Sequence, residues 1–373
     1  MKFRTERDGL LEALTTAGRA SGSRGPGAGS PSVQLVVRGN QLEVTGSDPD
    51  LVIDVRTTVA GEADGVTLLP SRLASDIVRA LEPGAVGVVA DDDEVRISSG
   101  RAEFVVRVPT GAEISRLSKL EGEGITLPAA LFADGLRQVV RAALTDDTRA
   151  PQLTGVLMVA TETGMRLVAT DSYRLALRDL EGVSALSPGS EVLVPARALA
   201  EIQRLVGGGD DAGGETLIFR HSELDAVFEI GGVRLTTRLL RGPFPDYERL
   251  LPPSYPYALT VEREAFASAV RRVRLMVRDA KDVTTPVRIA FSRDGAELTV
   301  LTAEAGRAVE RVEGSFSGDE LSVAFNPAYL LDGIDALRAE TVLLQVIDGA
   351  KPATICGQGE EDYRYLLMPV RVS

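Results

Sequence analysis

Few residues of this chain could make or break bonds. His221 is the sole histidine of 373 residues, so any Ser-His-Asp or Cys-His nucleophile would have to use it, and its setting, FRHSELDAVFEI, reads as a turn between strands. Cys356 is the sole cysteine and makes neither an internal disulfide nor a cysteine zinc cluster; one histidine cannot furnish a paired-histidine metal site. What remains is carboxylate chemistry. Asp48 with Asp50, or Asp171 with Asp147, could hold a metal against a phosphate. All four sit in polar turns between apolar runs, where an Asp that accepts hydrogen bonds from nearby backbone N–H groups is the simpler account. The expectation is a protein that works by binding, with no catalytic residue, metal or cofactor.

The elements that carry these turns recur three times. Strand sets start at Val33 (VQLVVRGNQLEVTGSDPDLVIDVRTTV), Gly155 (GVLMVATETGMRLVATDSYRLALRDLEGV) and Val287 (VRIAFSRDGAELTVLTAEAGRAVERVEG). Period-two alternation broken by turn residues predicts antiparallel strands. Ahead of each set lies an apolar stripe at helical spacing: Leu10, Leu14 and Ala17; Phe132, Leu136, Val139 and Ala143; Phe266, Val270, Val273 and Val277. Behind each lies a strand and short helix, with Pro70, Pro195 and Pro327 near the first turn, where the missing N–H costs nothing. More strands close each unit. The fold class is therefore α+β: three repeated domains, each with two helices packed on antiparallel sheet. Gly- and Pro-rich linkers at Glu121–Gly124 and Pro252–Pro256 put the domains at 1–122, 123–252 and 253–373.

Charge is divided between these elements. The chain carries a formal -13, yet the helical segments are net basic, so the acidity lies in the sheets and loops. Of the helical cations, Arg72, Arg79, Arg137, Arg141, Arg197, Arg204, Arg271, Arg274 and Arg278 are the candidates for DNA contact. Arg271, Arg274 and Arg278 share one face, as do Arg137 and Arg141, and like charges so placed repel unless an anion lies opposite. A phosphate partner or a solvated face with neighbouring acids satisfies that equally. No helix sets Asn or Gln beside Arg to read bases, so any DNA contact would be to the backbone, without sequence preference. The start, Met1 to Leu11, is charged where a signal peptide is apolar, and no apolar run is long enough to span a membrane, so a cytoplasmic protein is expected.

Five segments, in order along the whole chain, carry a resemblance: MKFRTERDGLL, VATDSYRLA, GPFPDYERLLP, FNPAYLLD and YLLMPVRV. With them the chain resembles the bacterial DNA polymerase III beta subunits, the sliding clamps. The resemblance implies a head-to-tail homodimeric ring of clamp domains, helices lining a hole for duplex DNA, and a role as a non-catalytic processivity factor for DNA polymerase. It also implies a pocket where DNA polymerase, the clamp loader and repair proteins dock a short linear motif. Carried over by motif, its wall is Leu153, Thr170, Ser172, Tyr173, Arg174, Leu175, Pro245, Arg249, Leu250, Asn326, Tyr329, Pro352, Met368, Pro369, Val370 and Arg371, while Arg24 in the loop GSRGPGAGS touches DNA. Without the resemblance, Leu175, Leu250 and Met368 read as ordinary core. Ser172-Tyr173 stands where the family commonly has Gly-His, and TAEAGRAVERV lacks the usual Asn-Pro kink. These departures set a second reading beside the first: a diverged second clamp copy that sustains replication when the main clamp's pocket is inhibited.

Overall fold

The alternating runs pair as antiparallel strands because each buries every second side chain on one face. In the computed structural model, residues 1–22, 31–108, 114, 117, 120–145, 150–207, 216–277, 285–303 and 305–371 are described. In the first repeat Ser32–Arg38 pairs with Gln41–Ser47, and that strand with Leu51–Thr58, in a register that sets Val44 opposite Val55. Val33, Leu35, Val37, Leu42 and Val44 are buried. The second repeat builds Gly155–Ala160, Gly164–Thr170 and Arg174–Glu181 in the same way. The third builds Val287–Ser292, Gly295–Thr302 and Gly306–Ser317.

Six α-helices occur among the described residues: α1 (Arg7–Gly18), α2 (Ser71–Ala80), α3 (Ala129–Val139), α4 (Ala196–Gly207), α5 (Arg263–Arg274) and α6 (Pro327–Ala336). The apolar stripes of α1, α3 and α5 are buried as their spacing requires. Two helices end sooner than the stripes suggest. After Val139 the chain tightens into a 3-10 turn, Val140–Ala142, so Ala143 is buried beyond α3. Val277 lies beyond α5, half-buried. Pro70 and Pro195 are the last strand residues before α2 and α4, and Pro327 opens α6, where Asn326 Oδ1 accepts from the N–H groups of Ala328 and Tyr329 at 2.8 and 3.3 Å. An N-terminal proline needs no hydrogen bond and the Asn side chain meets two orphan donors.

The chain divides into two compact bodies, Met1–Ala130 with Arg204–Leu239, and Leu131–Gln203 with Leu240–Ser373. In the first, α1 and α2 pack together, and α1 lies on the strands Gln41–Ser47 and Leu51–Thr58. The approach is close enough that a Cβ on Gly46 would come within 1.8 Å of the Ala17 carbonyl oxygen, so only glycine fits. Its eight-stranded sheet runs Ile125–Pro128, Thr216–His221, Asp225–Ile230, Val233–Arg238, Leu51–Thr58, Gln41–Ser47, Ser32–Arg38, Gly65–Pro70. A five-stranded sheet in this body ends on the edge strand Ala102–Arg107. In the second body a twelve-stranded sheet joins Arg174–Glu181 to the C-terminal strand Tyr363–Leu367, and α5 packs on α6.

The central repeat thus gives strands to both sheets. Val233–Arg238 pairs with Leu51–Thr58 of the first repeat, and Arg174–Glu181 with Tyr363–Leu367 of the third. Reading each repeat as self-contained misses this, since alternation says which face is buried and not which strand lies alongside. No helix among the described residues is long and apolar enough to cross a membrane.

Candidate functional site

Several residues of the anticipated pocket wall meet around the turn 171–174. Asp171 Oδ1 accepts from the N–H groups of Tyr173 and Arg174 at 2.9 and 3.0 Å, and Thr170 Oγ1 accepts from Ser172 N at 3.2 Å. Asp48 does the same in the first repeat, accepting from Asp50 and Leu51 at 2.9 and 2.8 Å. Both carboxylates are therefore occupied in shaping turns, and Asp147 lies outside the described residues. The tight turn holds Ser172 at φ +77°, a left-handed conformation that favours glycine, and leaves Tyr173 63% exposed.

Register brings the C-terminal strand to this turn. Leu175 stands opposite Leu366 and Arg174 opposite Leu367; beyond the strand, Met368 N donates to the Tyr173 carbonyl at 2.9 Å. Val370 N donates to the carbonyl of Ala324, two residues before Asn326. Met368 is 40% exposed, and Pro369 and Val370 are half-buried. Thr170, Ser172, Tyr173, Arg174, Leu175, Asn326, Tyr329, Met368, Pro369 and Val370 are thereby tied together by the ladder, the cap and these bonds.

The other anticipated residues fall around them unequally. Pro352 is half-buried beside Ala353, which pairs with Leu367. Leu153 is buried and its carbonyl accepts from Leu144 N. Pro245 and Leu250 are exposed, while their neighbours Phe244, Tyr247 and Leu251 pack on a core of Leu157, Val168, Leu175, Leu177, Leu193 and Leu366. Leu175 belongs to that core at 1% exposure, so its side chain does not face solvent. Arg249 is exposed and paired with Asp246, and Arg371 is exposed.

Arg174 departs most from the picture of an open wall residue. Its side chain is 9% exposed. Nε donates to Asp171 Oδ2 at 3.0 Å, Nη1 pairs with Asp332 and reaches Tyr365 Oη at 3.4 Å, Nη2 donates to the carbonyl of Arg141, and the guanidinium lies 4.2 Å from the centre of the Tyr329 ring. Burial pulls its pKa down, but Tyr365, Asp171 and Asp332 outweigh that and hold it above the usual guanidinium value. Burial likewise pushes the Tyr365 hydroxyl above its usual value, and that hydroxyl donates to the Tyr329 carbonyl at 2.8 Å. Sequence reasoning passed over Asp332 and Tyr365; the FNPAYLLD and YLLMPVRV segments carried both, but no spacing joins them to Arg174.

The helical arginines are mostly paired within the chain. Arg271 reaches Glu264 at 2.9 Å and Asp335 at 2.7 Å, Arg137 reaches Asp134 at 2.9 Å, Arg79 reaches Asp76 at 2.6 Å, Arg72 lies 3.8 Å from Asp76, and Arg141 lies 3.6 Å from Asp332. Arg197 and Arg204 also have partners. Arg274 is half-buried. Arg24 and Arg278 lie outside the described residues. On α5, Glu264 and Asp335 supply the counter-charge for Arg271. Such exposed pairs contribute about 0–1 kcal/mol each, so a phosphate can replace the carboxylate at little cost.

His221 ends its strand, exposed and stacked on Phe219 with ring centres 5.5 Å apart. Among the described residues no group of three His, Cys, Asp or Glu side chains is arranged to hold a metal ion.

Domain models of the DNA polymerase III beta subunit match almost the entire chain: the N-terminal domain over residues 1–118, the central domain over 126–246 and the C-terminal domain over 248–371. The chain belongs to the DNA polymerase III beta subunit family. It is 33% identical to the beta sliding clamp of Streptomyces coelicolor and 29% identical to that of Synechocystis, each over the full length of both chains. The solved DNA polymerase sliding clamp of Bacillus subtilis superposes with a TM-score of 0.88 at 27% identity, covering all of both chains. The DNA polymerase III beta subunit of Thermotoga maritima, at 21% identity and a TM-score of 0.88, shares the fold. Membership carries the family's function with it: this is a DNA sliding clamp, a processivity factor without catalysis of its own.

Proposed function

We propose that the protein closes as a head-to-tail homodimeric ring around duplex DNA, tethers DNA polymerase to it in the cytoplasm, and docks the polymerase, the clamp loader and repair proteins through a short linear motif. The repeats are taken to span 1–122, 123–252 and 253–373. The observation that carries the docking reading is the convergence of Tyr173, Met368 and the segment of Asn326 through the Met368–Tyr173 and Val370–Ala324 backbone bonds and the Leu175–Leu366 register. Exposed apolar side chains and backbone tied to a supporting core suit a short extended peptide. DNA contact falls to Arg24, Arg72, Arg79, Arg137, Arg141, Arg197, Arg204, Arg271, Arg274 and Arg278, which bind phosphate without reading sequence. Apolar side chains exposed in each body support ring closure: Val89, Phe104 and Val105 in the first, Leu275, Leu301 and Val309 in the second. Two different patches that match each other make a heterologous interface, which closes into a ring when its rotation allows.

The deciding experiment loads the protein on nicked circular DNA with a clamp loader and follows it by gel filtration before and after linearisation. Retention on the circle and loss on cutting support topological linkage; loss from the intact circle overturns it. Arg271→Glu with Arg274→Glu is expected to shorten retention without unfolding the protein. One observation favours the second reading of a diverged clamp copy: Ser172 adopts a glycine-like φ and presents a bulky, exposed Tyr173 at the same turn. Weaker binding of a pocket-directed inhibitor than the ordinary clamp shows would support it, and equal binding would remove it.

A further inference from the structure

Asp332, on α6, faces two arginines of the central repeat. Its carboxylate pairs with the Arg174 guanidinium and lies 3.6 Å from that of Arg141. Arg174 closes the set by donating to Asp171 Oδ2 and to the carbonyl of Arg141. One acidic side chain therefore joins α6 to the segment after α3 and to the turn that presents Tyr173. A guanidinium this buried is tolerated only where partners meet its charge and its donors, so removing the charge of Asp332 leaves the counter-charge to Asp171 and unbalances the set. The exposed residues of the set, Ser172 and Tyr173 of the turn and Met368, bonded to it through the Tyr173 carbonyl, have the room to shift in response.

We propose that Asp332 is a positioning residue for peptide docking: acting through Arg174, it sets where Tyr173 and Met368 stand, while its own oxygens face the two arginines. This inference rests on the docking reading above.

The test is fluorescence anisotropy of a labelled peptide with a Gln start and a Leu-Phe end, titrated with the full-length protein as wild type, Asp332→Asn and Asp332→Glu, alongside thermal unfolding of each. Asp332→Asn is expected to weaken binding about tenfold at a temperature where it is fully folded. Asp332→Glu, which keeps the charge, is expected to recover most of the loss, and Asp332→Asn with Tyr173→Ala should combine non-additively. A residue that merely holds the fold together would lower the Tm of the Asn variant and leave the affinity of the folded protein unchanged; that result overturns the proposal. If Asp332→Asn does not fold, Arg141→Ala reads the same link from its exposed side, with a loss of about threefold expected and unchanged affinity overturning the idea. Failure of the wild type to bind the peptide would bring down the docking reading itself, and positioning with it; wild-type binding that the variants leave untouched would bring down positioning alone.

Discussion

Asp54 illustrates how a single half-buried group reports on its surroundings. It sits mid-strand opposite Thr45 and Arg234, and Thr45 Oγ1 donates to its Oδ1 at 2.6 Å. Burial raises its pKa, and the Thr45 bond, Arg234 and Arg56 do not fully offset that. The folded state therefore holds the proton more tightly than the unfolded chain. Asp54 costs stability progressively as pH rises from about 4, the unfolded carboxyl value, through the raised folded value, and the cost is complete above it. Asp54→Asn keeps an acceptor for Thr45 and removes the half-buried charge. It is expected to be more stable than wild type at pH 7, with the difference shrinking toward pH 4. Denaturant titrations across that range check this, and a variant less stable at neutral pH would refute it.

At the scale of elements, one close approach sets how α1 meets its sheet and one cap starts α6. A methyl group on Gly46 would collide with the Ala17 carbonyl and push α1 off its strands. Gly46→Ala is expected to cost about 1–3 kcal/mol, the usual penalty for overpacking, and a denaturant midpoint equal to wild type would contradict the close approach. Asn326 caps α6, so Asn326→Ala should cost about 1 kcal/mol, whereas Asn326→Asp should cost less because an acid also caps. Equal losses in urea unfolding would mean that the cap contributes little. Asn326 was anticipated as pocket wall from the FNPAYLLD segment; what its 6% exposure and both cap bonds show is that it organises the start of α6.

For the whole molecule, the apolar side chains left uncovered matter more than those buried. Leu301 is 71% exposed on the strand Gly295–Thr302, and Leu275 is 82% exposed just after α5. In the first body the edge strand Ala102–Arg107 exposes Phe104 and Val105, and an open edge with apolar side chains invites pairing with another chain. Leu301→Asp is expected to weaken self-association by about tenfold or more while leaving the fold intact, because a charge at the centre of an apolar contact must be desolvated. Sedimentation equilibrium reads this directly, and an unchanged mass distribution would place the contact elsewhere.

The threefold plan, the antiparallel pairs, the buried helical stripes and the turn-shaping roles of Asp48 and Asp171 were all legible in the sequence. Each depends on residues a few positions apart, where periodicity and side-chain-to-backbone bonding operate. Tertiary structure alone decided which strands lie side by side, and hence that the central repeat shares its strands between two bodies. It also decided that Arg174, which motif matching puts on an open wall, is buried against Asp332 and Tyr365, and that of Leu175, Leu250 and Met368, all readable as core, only Leu175 is buried. These outcomes depend on partners 158 and 191 residues away in the chain. Local alternation determines which side of a strand is dry, but not what arrives to cover it.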